Sequence, residues 1–125
     1  MNEALLLVVG FLLGSIPFGL LVARAKGVDI RSVGSGNIGA TNVYRELGPV
    51  PGTLVLVLDA LKGALPAAVA LSLITDHRDL WSLGAGMAAI LGHTFSPFLK
   101  FKGGKGVATG FGALIGSAPI VAGLV

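Results

Sequence analysis

Ala4-Leu-Leu-Leu-Val-Val-Gly-Phe-Leu-Leu-Gly-Ser-Ile-Pro-Phe-Gly-Leu-Leu-Val-Ala23 runs for 20 residues without a charge. As a helix rising about 1.5 Å per residue it would cover about 30 Å, the thickness of a bilayer's hydrocarbon core. Further apolar segments follow at about 50–75, at about 80–99, and from 107 to the last residue, Val125. Polar breaks at Arg24–Gly48, Asp76–Asp79 and Lys100–Gly106 separate them. The chain is 54% hydrophobic and 12% charged, whereas soluble domains carry about a quarter charged residues. The pattern predicts an all-α fold: a polytopic transmembrane helical bundle, one integral membrane domain with spans at about 4–23, 50–75, 80–99 and 107–125. The first segment lacks a basic n-region and a small-residue cleavage site, so it reads as a retained span and not a signal peptide. The last stops inside an apolar run without a flanking charge, as in a longer protein whose C-terminal part is missing.

Charge placement orients the bundle. The first break holds Arg24, Lys26, Arg31 and Arg45, and the third holds Lys100, Lys102 and Lys105, while the middle one has only Arg78 between Asp76 and Asp79. Cytoplasmic loops collect Lys and Arg, so the first and third breaks are expected inside and the N-terminus outside. Small residues four apart (Gly10/Gly14, Gly106/Gly110, Gly112/Gly116) would let such helices pack closely. The absence of cysteine excludes disulfides, thiolate metal sites and a thioester mechanism.

Two of the breaks are built to hold an anion. In Arg31-Ser-Val-Gly-Ser-Gly-Asn-Ile-Gly-Ala-Thr-Asn-Val-Tyr-Arg45, the Gly34-Ser35-Gly36 loop can turn backbone N–H groups towards a ligand. Asn37 is the expected N-cap of a short helix running to about Leu47. On that helix Ala40, Val43, Tyr44 and Leu47 make an apolar stripe and Asn37, Thr41 and Arg45 a polar ridge, the pattern of an amphipathic helix at the membrane interface. The stretch also matches G-x-G-x-x-G, but no strand precedes it, so a dinucleotide site is excluded. In Lys100-Phe-Lys-Gly-Gly-Lys-Gly106 a glycine-rich turn feeds a helix N-terminus, a natural phosphate cradle to which Lys102 and Lys105 add charge. It is not a Walker A loop. Either stretch alone could be a basic linker. Two cationic, glycine-rich loops on one face point to one composite site for phosphates.

Inside the second span, Asp59 and Lys62 lie one turn apart and can pair. Ionisable groups in a membrane segment are costly and suggest a supporting role at a site, though a purely structural pair is the equal alternative. His93 near the cytoplasmic end of the third span is a further supporting candidate. The H-x-x-x-x-D acyltransferase motif is absent, since the fifth residue after His93 is Phe98.

Gly14-Ser-Ile-Pro-Phe-Gly19, the Ser32–Gly48 stretch, Asp59-Ala-Leu-Lys-Gly63 and Gly92–Gly110 together resemble the bacterial acyl-phosphate:glycerol-3-phosphate acyltransferases, the PlsY type. The resemblance covers essentially the whole chain in order. It implies an inner-membrane enzyme that moves a fatty acyl group from acyl phosphate to the 1-hydroxyl of glycerol 3-phosphate, giving lysophosphatidic acid and phosphate in phospholipid biosynthesis. Its partners would be those two substrates and membrane lipid, with no nucleic acid, metal or cofactor. By the same resemblance Ser35, Arg45 and Lys105 would bind substrate phosphate, and Asn37 with the turn Gly103, Gly104, Lys105 and Gly106 would help hold the acyl phosphate. Family members continue through further spans with a third motif supplying an Asn, a His and a Glu, to which nothing in this chain corresponds. The alternative from another class is a small membrane anion transporter or channel subunit, motivated by the Asp59/Lys62 pair and the cationic loops.

Overall fold

The computed structural model describes residues 2–118. Among them every regular element is helical: α1 Glu3–Ser15, α2 Phe18–Ala25, α3 Ala40–Leu47, α4 Pro49–Leu73, α5 Arg78–Thr94 and α6 Val107–Gly116, with single 3-10 turns at Ile30–Ser32 and Pro97–Leu99. Two helical stretches, Glu3–Ala25 and Pro49–Leu73, are long and apolar enough to cross a membrane. The expected end of the last span, 119–125, lies outside the described residues.

The first apolar stretch is not one straight helix. Asn2 caps α1 by accepting from the amides of Ala4 and Leu5 at 2.8 and 3.2 Å. The helix stops at Ser15, because Pro17 has no N–H to donate and biases the residue before it towards an extended backbone. Ile16 takes that conformation (φ −65°, ψ 116°), and a new helix, α2, starts at Phe18. A charge-free run reports length and leaves the shape open. The third apolar segment, expected to 99, likewise ends its helix at Thr94, ahead of the proline-led turn Pro97–Leu99.

Backbones approach closely where glycines face small residues. A β-carbon at Gly14 would run into the backbone of Ala89, and one at Gly92 into the carbonyl of Phe11, which joins α1 to α5. Gly63 meets the backbone of Thr109, Gly112 that of Ala60, and Gly116 that of Ala64, which joins α4 to α6. Close backbone approach is how helices associate in a solvent as apolar as their own side chains. Gly110 is different: a β-carbon there would only touch Ile90 Cδ1 at 3.6 Å.

The distribution of polarity is that of a protein in lipid. Leu5, Val8, Leu12, Leu54, Leu56, Leu61 and Leu65 point outward, while Ser15, Asp59, Lys62, Ser82, His93 and Thr109 are buried. One apolar cluster (Leu6, Ala70, Ile74 and Ala85, with Trp81 against it) fills the end of the bundle near the middle break. At the other end Leu20, Ala23, Ile30, Ile38, Val43, Val55 and Leu99 form a second cluster. It draws on α2, the first break, α3, α4 and the Pro97–Leu99 turn, so the first break packs against the turn that leads into the third.

Candidate functional site

The first break is folded around a residue that the sequence reading passed over. Asn42 is 3% exposed. Its Oδ1 accepts from the Ser35 amide at 3.1 Å, and its Nδ2 reaches the carbonyls of Asn37, Val33 and Ile30 at 3.0, 3.1 and 3.4 Å. A primary amide offers both donors and acceptors, so one side chain can tie down a loop of 30–37 from inside. The available signal was the cost of Asn within a helix, where its side chain competes for backbone groups.

Asn37 is not the helix cap. Its Oδ1 accepts from the Gly39 amide at 2.8 Å in a local turn, and α3 begins two residues later than expected, with Gly39 as N-cap. The expectation of free amides in the Gly34-Ser35-Gly36 loop also needs correction. Ser35 N donates to Asn42, Gly36 N to the Val33 carbonyl at 2.9 Å and Asn37 N to Ser35 Oγ at 3.3 Å. The first turn of α3 keeps its orphan amides, as helix starts do. Ser35, Thr41 and Arg45 remain exposed. Arg31 is spoken for: it grips Asp29 through Nε–Oδ1 at 3.0 Å and Nη2–Oδ2 at 3.2 Å, which holds the Asp29 carboxyl below its usual range and raises Arg31. Arg45 has no ion-pair partner among the described residues.

The glycine-rich turn is likewise committed at its start. Gly103 N donates to the Thr94 carbonyl at 2.8 Å and Gly104 N to the His93 carbonyl at 3.2 Å. These two glycines therefore serve closeness and not donation. The amides at the start of α6, Val107 and Ala108, have no partner among the described residues, and Gly106 takes the left-handed conformation (φ 80°) that aims the helix. Lys102 and Lys105 are exposed. The two breaks meet at Ile38 and Gly104, where a β-carbon on Gly104 would stand 3.2 Å from Ile38 Cγ1. Gly19 lets the first break sit down on α2, since a β-carbon there would overlap the Ile38 carbonyl.

Beneath this meeting point lies the buried polar group. Lys62 Nζ is 3.0 Å from Asp59 Oδ1, donates to the Ile16 carbonyl at 3.0 Å and lies 2.8 Å from His93 Nδ1. An ammonium only donates, so a charged Lys62 makes Nδ1 the acceptor of this contact. Ser96 Oγ donates to the Ser15 carbonyl at 2.6 Å. The two carbonyls released by the Pro17 break are thus met from α4 and from the end of α5. The expected pairing of Asp59 with Lys62 is present, and His93 joins it. Among the described residues no group of His, Asp or Glu side chains is placed to hold a metal ion.

Comparison with known proteins gives a consistent match. The sequence model of a family described as glycerol-3-phosphate acyltransferase matches residues 4–125. A glycerol-3-phosphate acyltransferase from Geobacter metallireducens is 58% identical over 118 residues, covering 94% of this chain and 60% of the relative. One from Aquifex aeolicus is 50% identical over 123 residues, covering 98% and 63%. A crystal structure of PlsY, an integral membrane glycerol 3-phosphate acyltransferase in its glycerol 3-phosphate form, is similar with TM-score 0.86 and 46% identity, over 98% of this chain and 60% of that one. Its lysophosphatidic acid form gives 0.84 and 44%. The chain spans about 60% of the length of the relatives it matches.

Proposed function

Because this chain belongs to the glycerol-3-phosphate acyltransferase family, we propose that it carries the phosphate-gripping part of an enzyme that transfers a fatty acyl group from acyl phosphate to the 1-hydroxyl of glycerol 3-phosphate. The observation that carries this reading is the fit of 98% of the chain to PlsY in its glycerol 3-phosphate form. The transport reading has no counterpart among the relatives described above. The meeting of the two cationic loops at Ile38 and Gly104 supports a composite site.

In this reading the bundle is one membrane domain of the bacterial inner membrane. α1 with α2, α4, α5 and α6 begin the four spans, the N-terminus is outside, and α3 lies at the cytoplasmic interface. The buried Val43 and the exposed Thr41, Tyr44 and Arg45 suit that position for α3.

The chemistry asks for grip more than for a nucleophile. Acyl phosphate is a mixed anhydride with a good leaving group, so orienting the two substrates and offsetting their negative charge supply most of the help. Arg45 would take a phosphate with a bidentate fork, and Lys102 and Lys105 would add point charges. The Ser35 and Thr41 hydroxyls and the free amides at the starts of α3 and α6 would complete the cradle. Asn37, Gly103, Gly104 and Gly106 shape the loops that present these groups. The glycerol 1-oxygen attacks the acyl carbon, the carbon–oxygen bond to phosphate breaks, and phosphate leaves. The hydroxyl proton goes to a substrate phosphate oxygen, and no acyl-serine forms, because among the described residues no base partners Ser35.

The test is to incubate the intact protein with acyl phosphate and glycerol 3-phosphate. Phosphate release that needs both is expected. No release from folded protein, with anion flux in liposomes instead, would overturn the reading, and a radiolabelled acyl group trapped covalently on the protein would overturn the direct attack.

A further inference from the structure

The glycine-rich turn stands on one side chain. The position of a β-carbon on Gly104 is filled by His93 Nε2, with Cε1 3.1 Å away, and that of Gly106 lies 3.9 Å from His93 Cδ2. The carbonyl of the same histidine accepts from the Gly104 amide. The opposite edge of the ring is fixed, with Nδ1 2.8 Å from Lys62 Nζ, itself anchored on Asp59 and on the Ile16 carbonyl. His93 is 4% exposed and Lys62 3%. A ring clamped along one edge and covered by the turn along the other has a single orientation, and so has whatever rests on it.

We propose that His93, held by Lys62, is a positioning residue: its ring sets the height of the Gly103–Gly106 turn over the bundle, and with it the reach of Lys102 and Lys105 towards Arg45. This rests on the acyltransferase reading of the site, but the geometry can be tested separately. His93 is assigned a positioning role and not that of a catalytic acid or base, because its Nε2 edge packs against Gly104.

Three variants of the intact protein decide it. His93→Asn keeps an acceptor near Nδ1 for Lys62 and removes the Nε2 edge. It is expected to melt within a few degrees of the parent, while the KM for a phosphate-bearing substrate rises at least tenfold and kcat changes less than threefold. Gly104→Ala should lift the turn off the ring and impair the enzyme in the same way. The double variant His93→Asn/Gly104→Ala puts a methyl group into the space that Nε2 leaves, and should recover most of the loss seen with Gly104→Ala alone. A purely structural histidine would give no such rescue. Hydrogen exchange at the Gly103 and Gly104 amides reads the turn without any substrate, and should speed up at least tenfold in His93→Asn. Absent activity in the parent would count against the acyltransferase reading alone, with exchange still deciding the positioning. Unchanged exchange, or equal damage from Gly104→Ala in both backgrounds, would overturn the proposal.

Discussion

Lys62 Nζ donates to the carbonyl of Ile16 at 3.0 Å, joining the middle of α4 to the break between α1 and α2 across 46 residues of sequence. The contact explains two costly features together. A proline breaks a membrane helix and leaves the Ile16 carbonyl only the nearby Phe18 amide at 3.0 Å, and a lysine sits in an apolar segment; each helps to satisfy the other.

Removing one member should therefore hurt more than removing the pair. Lys62→Met leaves Asp59 buried without its cation and the Ile16 carbonyl without this donor. A loss of about 3–5 kcal/mol is expected, as for other broken buried pairs. Asp59→Asn/Lys62→Met removes the charge problem and should recover a clear part of the loss. Thermal unfolding in detergent reads both.

Asn42→Ala should disable the first loop and leave the bundle standing. Four contacts of the Asn42 side chain go at once, at a local cost of about 1–3 kcal/mol for the groups left unpaired. Hydrogen exchange at the Ser35 amide should rise, transfer activity should fall, and the melting temperature should move little. Asn42→Asp should do no better, because it puts an oxygen where Nδ2 serves backbone carbonyls.

Two glycines two positions apart in α6 should behave oppositely. Gly112→Ala drives a methyl group into the backbone of Ala60 and should separate α4 from α6. Gly110→Ala meets only Ile90 Cδ1 at 3.6 Å and should be neutral or stabilising by up to about 1 kcal/mol, since alanine costs less than glycine in a helix. Circular dichroism melts of the two variants side by side test this.

The sequence made the apolar lengths and the two cationic loops legible, because charge and hydropathy act residue by residue. The segment at 50–75 matches α4, Pro49–Leu73, closely. What it left hidden are the partnerships over distance. Pro17 was visible as a proline in an apolar run, but not that Lys62 and Ser96 would take up the carbonyls it frees. Asn37 has the right chemistry for a helix cap, yet its side chain closes a tighter turn on Gly39 and the helix starts at Ala40. Asn42 was missed because its value lies in what surrounds it after folding. The glycines of the third break read as amide donors, and two of them proved to be places where backbones touch.

Whether the two cationic breaks form one site is read from kcat/KM for the intact protein and its Arg45→Ala and Lys105→Ala variants. A charged hydrogen bond is worth about 1.5–3 kcal/mol, or roughly ten- to hundredfold. Each variant, one from each break, is expected to lose at least tenfold while melting at the parent's temperature. If either keeps the parent's kcat/KM with both substrates, the two breaks do not share a phosphate site and the account is contradicted.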